Sequence, residues 1–336
     1  MPITSSQLKF YRAQINADGA SNGGLLTNLL LIDNAKNNLF PDVPQSERVA
    51  GSTKYRKAFI KVDSLDNSPL LDPKVFIETP SPGNDVVSIF PGTETDTEAL
   101  LAGSERLYGA GFLTANVSAG VTSFTVQTEG AAYVHFQSGD TVRLSDKTSV
   151  IDSTHAEEYL TIATNGVSWS GSLATLTVTT PVLNSYTSPA TTKVSSCMTT
   201  VSQLQATVDS ISDTAANGNT DIVYKPTVLN NSAISQTWTL TFNSATAYTC
   251  TGNTLGLLAG SALISTTYAP ANPGFSGYSY FSIPAAFFTG TFTAGDTITF
   301  KTHPAVIPIW YKRVVPPNCA SLAGNKVVVG IDGEST

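Results

Sequence analysis

The sequence predicts a mainly β chain of two or three β-sandwich or small-barrel units with little helix, and three observations carry that reading. Only 13% of the residues are charged against 41% hydrophobic, about half the usual charged share. Strand-length runs of alternating apolar and polar residues recur along the chain, bounded by Gly, Pro, Asn and Asp. A turn-and-strand motif, Phe-x-x-Gly-Asp-Thr, occurs twice, beginning at Phe136 and at Phe292.

Low charge argues against long solvated helices, whose outer faces carry Glu and Lys. The 336 residues are enough for two or three domains, each with its own core. Three segments suggest themselves: 1–115, 116–195 and 196–336. In the first, Gln7 to Gln14 reads as a strand, followed by the turn Asn16 to Gly24. From Thr53 the chain alternates, with Tyr55 and Lys57 on one face and Arg56 and Ala58 on the other. Lys74 to Thr79 and Val86 to Phe90 read as strands around the turn Pro80 to Asp85.

The second segment contains the alternating runs Val121 to Gln127, Glu158 to Ala163 and Ala174 to Thr180, with Trp169 between the last two. In the third, apolar residues at Val201, Leu204, Val208 and Ile211 fit a short helix. From Pro226 to Gly295 there is no charged residue, yet Trp238 and several Tyr and Phe lie inside that run. Either neighbouring subunits cover its surface, or a hydroxyl-rich sandwich stays in solution without charges.

In the repeated motif, Gly supplies the positive φ of a tight turn. The Asp side chain is expected to bond the backbone two residues on, and the residues after it alternate as a strand. Asp140 and Asp296 are thus expected to serve the backbone. A calcium loop needs several spaced acidic ligands, and each motif supplies one.

Net charge is −7, which argues against direct nucleic-acid binding, since phosphates call for a concentrated Lys/Arg surface. Cys197, Cys250 and Cys319 have no metal-ligand spacing and are odd in number. They are expected to be reduced and buried in a chain that folds in a cytoplasm. Met1 to Gln7 lacks the pattern of a secretory signal, and Leu25 to Ile32 is too short to span a bilayer. No membrane-spanning segment is expected.

No catalytic, cofactor-binding or metal-ligating residues are assigned, and the chain is not expected to be an enzyme. The three histidines, His135, His155 and His303, stand in a strand, a polar loop and before a proline. No nucleophile elbow, phosphate loop or zinc-protease pair is present. Glu94, Asp96 and Glu98, spaced by Thr, read as an exposed acidic loop, although a glycosidase needs such a pair. The cluster Lys54 to Lys61 could hold a phosphate backbone with Tyr55 stacked on a base. Its members divide between two strand faces beside Glu47, Asp63 and Asp66, so an ion-pair network across strands or subunits is the more economical account. Trp310-Tyr-Lys-Arg-Val-Val-Pro-Pro has the composition of an interface anchor; a core Trp beside a snorkelling Lys reads the same way. The candidate interface residues are therefore Tyr55, Arg56 and Lys57 with Trp310, Tyr311, Lys312 and Arg313.

Several segments together resemble a family of virion structural proteins of tailed bacteriophages. They are Asn38-Leu-Phe-Pro-Asp-Val, Glu47-Arg, Gly51 through Lys61, Phe136 through Leu144, Phe292 through Ala305, Pro308 through Pro316, and Asp332-Gly-Glu-Ser-Thr. The resemblance touches all three segments, but its motifs are strands and turns and carry no catalytic residues. It implies a place in the phage particle, in the tail, baseplate or neck, after synthesis in the host cytoplasm. The implied partners are copies of the chain and other virion proteins, in a ring or sleeve. A capsid decoration or host-receptor-binding role is the alternative, and a wall-degrading enzyme a third.

Overall fold

Alternation along Ser52–Val62 sends one set of side chains to each face, and pairing with Leu8–Ile15 on one edge and Val306–Val315 on the other makes this strand the middle of a sheet. The computed structural model describes residues 2–129, 134–149, 152 and 154–335; Met1 and Thr336, the ends of two segments quoted above, lie outside them. The chain is mainly β, in several sheets and one closed six-stranded barrel.

The first sheet has five strands in the order Gly23–Leu30, Leu8–Ile15, Ser52–Val62, Val306–Val315 and Val86–Pro91. Val306–Val315 pairs antiparallel with Ser52–Val62 on one side and with Val86–Pro91 on the other. A strand from the C-terminal end thus completes the N-terminal sheet. Val328–Ser335 likewise pairs with Leu70–Thr79. The boundaries 1–115 and 196–336 do not separate these sheets, because the alternation that reveals a strand carries no information about which strand it pairs with.

Thr207–Asp213, Thr297–His303, Gln236–Phe242 and Ala247–Gly252 form the second large sheet. Gly256–Leu257 and Ala262–Leu263 each cover part of the outer side of Ala247–Gly252. One hydrophobic cluster joins the two large sheets: Ala58, Ile89 and Ile309 of the first belong with Leu240, Phe300 and Trp238 of the second. Within the charge-free run the aromatics fill this core, with Trp238 touching Phe281 at 4.8 Å between ring centres and Phe242 stacked on Phe292 at 4.1 Å.

The barrel runs Leu173–Val178, Ser123–Thr128, Ala110–Leu113, Lys193–Ser196, Thr141–Ser145, Glu157–Ser170 and closes on itself. It has a separate core around Phe136, Leu144, Leu176 and Tyr186. Its entry and exit strands, Ala110–Leu113 and Lys193–Ser196, are paired neighbours, so the barrel is an insertion whose ends meet.

The repeated motif launches a strand twice. Phe136 fills the barrel core and Phe292 the larger core. Gly139 and Gly295 take φ of +86° and +98°, and strands start at Thr141 and Thr297. The Asp side chains act three residues back, not two residues on. Asp140 Oδ2 accepts from Gln137 N–H at 2.7 Å, and Asp296 Oδ2 accepts from Thr293 N–H at 2.8 Å. Each carboxylate closes the same four-residue turn whose carbonyl its own N–H already reaches.

The expected helix at 201–211 is instead two strands, Gln203–Leu204 and Thr207–Asp213. Leu204, Ala206 and Val208 are buried, a period of two that the apolar spacing of four also contains. Thr207–Asp213 then extends the sheet beside Thr297–His303. The one α-helix among the described residues, Gln45–Ala50, lies between Pro44 and Gly51, in a stretch without apolar period.

Candidate functional site

The two candidate interface segments are one structure. Antiparallel register sets Trp310 opposite Lys57, Tyr311 opposite Arg56, Lys312 opposite Tyr55, and Arg313 opposite Lys54. The seam they form has two faces, and the chain itself closes both.

On the first face stand Lys57, Tyr55, Trp310 and Phe90. Trp310 is 0% and Lys57 1% exposed, and Trp310 stacks on Phe90 with ring centres 6.3 Å apart. The loop after Val86–Pro91 folds over them. Asp96 Oδ1 lies 2.6 Å from Lys57 Nζ, and Trp310 Nε1–H donates to Asp96 Oδ2 at 2.8 Å. Lys57 Nζ also donates to the carbonyls of Gly24 and Asp96. Burial pushes the Lys57 amine below its usual range, and Asp96 opposes that shift.

The acidic run read as an exposed loop is thus a clasp with three separate grips. Glu94 Oε1 meets His303 Nδ1 at 2.9 Å, Asp96 holds Lys57 and Trp310, and Glu98 accepts from the buried Asn22 amide at 2.9 Å. The carboxylates at alternate positions each hold a partner distant in sequence, a spacing that an exposed loop shares.

On the second face lie Lys54, Arg56, Tyr311 and Arg313. Lys54 pairs with Asp18 at 3.0 Å and Glu47 at 2.7 Å, and Arg56 with Asp18 at 2.6 Å. Hydrogen bonds from Arg56 and then Lys54 hold the Asp18 carboxyl below its ordinary range. Arg313 stacks over Phe40 at 4.6 Å and donates to the Pro41 carbonyl. The ion pairs of the basic cluster are within the chain.

This geometry corrects the interface assignment. Arg56, Lys57, Trp310, Tyr311 and Arg313 are buried by the chain's own strands and loops, and a partner cannot reach them without opening the fold. Tyr55 and Lys312 are half-buried, with the Lys312 amine 5.9 Å from the Tyr55 ring centre. Alternation correctly separated the faces; it could not reveal that sequence-distant segments cover both.

Among the described residues, two concavities lie close to charged side chains. One, of about 350 Å³, lies between the barrel and the Val328–Ser335 strand, lined among others by Phe76, Glu78, Arg143, His155 and Glu157. Arg143 pairs with Glu78 at 2.8 Å and bidentately with Glu157 at 2.8 Å, and His155 Nε2 lies 3.0 Å from Glu157. A guanidinium held on both sides fastens the barrel to its neighbouring sheet and offers no free fork to a ligand. The other, of about 330 Å³, is lined by Lys9, Asp63, Asn231, Phe275 and Tyr278.

All three cysteines are free; Cys197 and Cys250 are buried, whereas Cys319 is partly exposed and departs from the expectation. Among the described residues no group of three or more His, Cys, Asp and Glu could hold a metal ion, and no helix is long and apolar enough to cross a membrane.

The fold and site define a β-rich chain whose two large sheets share one core, with an inserted barrel and a charge-clasped seam. The chain matches no protein-family model, no curated protein and no solved structure.

Proposed function

We propose that this chain is a structural component of a tailed-bacteriophage virion, in the tail, baseplate or neck, assembling with copies of itself and with other virion proteins. The observation that carries the reading is the outer edge of the second large sheet. There Leu255, Leu257 and Leu263 are 45%, 67% and 46% exposed, within the run from Pro226 to Gly295 that holds no charge. Such a surface can be covered by a neighbour without desolvating an ion. The two-residue strands Gly256–Leu257 and Ala262–Leu263 blunt the edge and disfavour open-ended strand addition. The contact is therefore made by side chains. Ile222, Val223 and Tyr224, consecutive and exposed, add a second apolar patch just before the charge-free run.

The resemblance supplies the setting, the virion, and the closed charge pairs of the seam fit a chain whose interior serves rigidity. Light scattering on the purified chain tests assembly, and mass spectrometry of separated heads and tails tests its place. A closed oligomer found with tails supports the reading. A monomer absent from the particle, or one that hydrolyses peptidoglycan or polysaccharide, overturns it. The capsid decoration or receptor-binding alternative is favoured by one feature, the inserted barrel with its own core, which is free to serve as a binding module; recovery with heads in hundreds of copies would select decoration.

A further inference from the structure

Lys61 projects from Ser52–Val62 into a place where a lysine is costly. Its side chain is 0% exposed, the Phe275 ring centre lies 3.9 Å from Nζ, and that of Tyr11 lies 5.4 Å away. Nζ donates to the main-chain carbonyl of Asn231, 170 residues along the chain. Asp63 Oδ1 is 3.4 Å from Nζ, and the other oxygen of Asp63 holds Lys9 at 2.5 Å.

Asn231 is the second half of the observation. Its neighbour Asn230 uses its side chain fully: Nδ2 donates to Ser64 Oγ and to the Ser68 carbonyl, and Oδ1 accepts from Ala206 N–H. Asn231 is equally enclosed, at 4% exposure, yet its Oδ1 is buried with no hydrogen-bond partner. A buried amide oxygen without a donor is costly, and each such case in a folded protein needs an explanation. The backbone there is fixed, since Asn231 N–H donates to the Ser64 carbonyl at 3.1 Å. The enclosed Lys61 amine, the Asp63 carboxylate and the Asn231 main chain thus meet beside an aromatic cover, and the buried, unpaired amide belongs to that same Asn231.

We propose that Lys61 and Asn231 form an intramolecular isopeptide bond, Nζ to Cγ, with Asp63 as the proton carrier. Asp63 takes a proton from the Lys61 ammonium, leaving the neutral amine with its lone pair. Nζ attacks the Asn231 Cγ, and the new Nζ–Cγ bond gives a tetrahedral intermediate. Asp63 passes its proton to Nδ2 and accepts the surplus proton from Nζ. The Cγ–Nδ2 bond breaks, the carbonyl reforms and ammonia leaves; Asp63 then releases its proton, so ammonium is the net product and no oxidant is needed. The concavity lined by Asn231, Asp63 and Lys9 gives ammonia its exit, past a Lys9 side chain that is 39% exposed.

Two features favour the forward direction. Enclosure pushes the Lys61 amine down to about 8, so a larger share is neutral and nucleophilic than for a free lysine. The fold holds Nζ at the main-chain carbonyl of the residue that carries the amide, so the exchange is intramolecular. The product would tie the first large sheet to the loop that leads into the second, independently of where the protein resides.

The test is mass spectrometry of the folded wild-type chain. The expected result is an intact mass lower than that of the sequence by one ammonia, and a branched peptide joining the segments around Lys61 and Asn231, with no tryptic cleavage after Lys61. Lys61→Met and Asn231→Ala should restore the full mass, and Asp63→Ala should leave most of the folded chain unlinked. Full mass with linear peptides from the wild-type chain overturns the proposal, whether or not the variants fold. Equal linkage in Asp63→Ala overturns the role of Asp63.

Discussion

Asp96 binds Lys57 through one carboxylate oxygen, at 2.6 Å, and Trp310 through the other, at 2.8 Å. One side chain from a loop thereby fixes two adjacent strands that come from opposite ends of the sequence. Lys57 is wholly buried, so the pair differs from a surface salt bridge, which contributes about 0–1 kcal/mol. Removing one member of a buried pair strands the other charge and costs about 3–5 kcal/mol. Asp96→Ala should therefore lower the unfolding free energy by about that amount in urea titration. Adding Lys57→Met should recover part of the loss, because the stranded charge is then gone. A cost below about 1 kcal/mol for Asp96→Ala would show that the clasp opens to solvent.

The two strand-launching turns permit a comparison inside one molecule. A Cβ added at Gly139 or Gly295 meets nothing within 4 Å, so Ala at either position is penalised only for its positive φ. Each substitution should cost about 1–2 kcal/mol. The aspartates should differ. Asp140 also pairs with Arg106, whose side chain is 20% exposed, whereas the bond described for Asp296 is the one from Thr293 N–H. Asp140→Ala should exceed Asp296→Ala by about 1 kcal/mol or more. Equal losses in denaturant titration would mean that Arg106 finds solvent as readily as Asp140.

His303 sets a pH dependence with a definite sign. Its Nδ1 lies 2.9 Å from Glu94 and its Nε2 3.4 Å from Asp209, with Lys301 acting on Asp209 from the same strand. The hydrogen bond that His303 donates to Glu94 is the largest cause of a raised pKa, and burial opposes it. A group raised in the folded state contributes stability that is complete below the unfolded value of about 6.5 and is lost as pH rises through the folded value. Thermal unfolding should therefore lose stability on this account above about pH 6.5. His303→Gln should flatten that decline. His135, pushed down to about 4 by burial, acts at the other end: its contribution is present above about 6.5 and falls away as pH drops toward 4. A decline above neutrality that survives His303→Gln would assign it to another group.

How much of this was legible varied with the range of the interaction. Alternation from Thr53 placed Lys57 and Arg56 on opposite faces, and the turn at Gly139 and Gly295 was readable because its cause is local. The acidic partners of the basic cluster were partly visible as well, since Glu47 and Asp63 stand close to it in sequence. Asp96 was not, because its role depends on a loop folding over strands that the sequence does not place side by side. The segment from Val201 to Ile211 misled for a related reason. Leu204 and Val208 satisfy both a helical and a strand period, and only pairing with Thr297–His303 decides between them. Trp310 looked like an interface anchor because burial by one's own chain and burial by a partner demand the same composition.

The charge-free edge offers the sharpest test of assembly. Leu257 is 67% exposed on a two-residue strand that pairs with Ala247–Gly252 only at Thr251 and Gly252, so its side chain contributes little to the fold. Leu257→Asp should leave unfolding unchanged within about 0.5 kcal/mol, as for an exposed site. Within an oligomer the same carboxylate would be forced against an apolar neighbour, and its desolvation should shift light-scattering mass toward the monomer. Leu100→Asp serves as the control, since Leu100 is 73% exposed and lies far from 226–295 in sequence. If Leu257→Asp leaves the oligomer intact while Ile222→Asp dissolves it, the contact belongs to the 222–224 patch. If neither changes the mass of an oligomeric wild type, the charge-free surface is not where subunits meet.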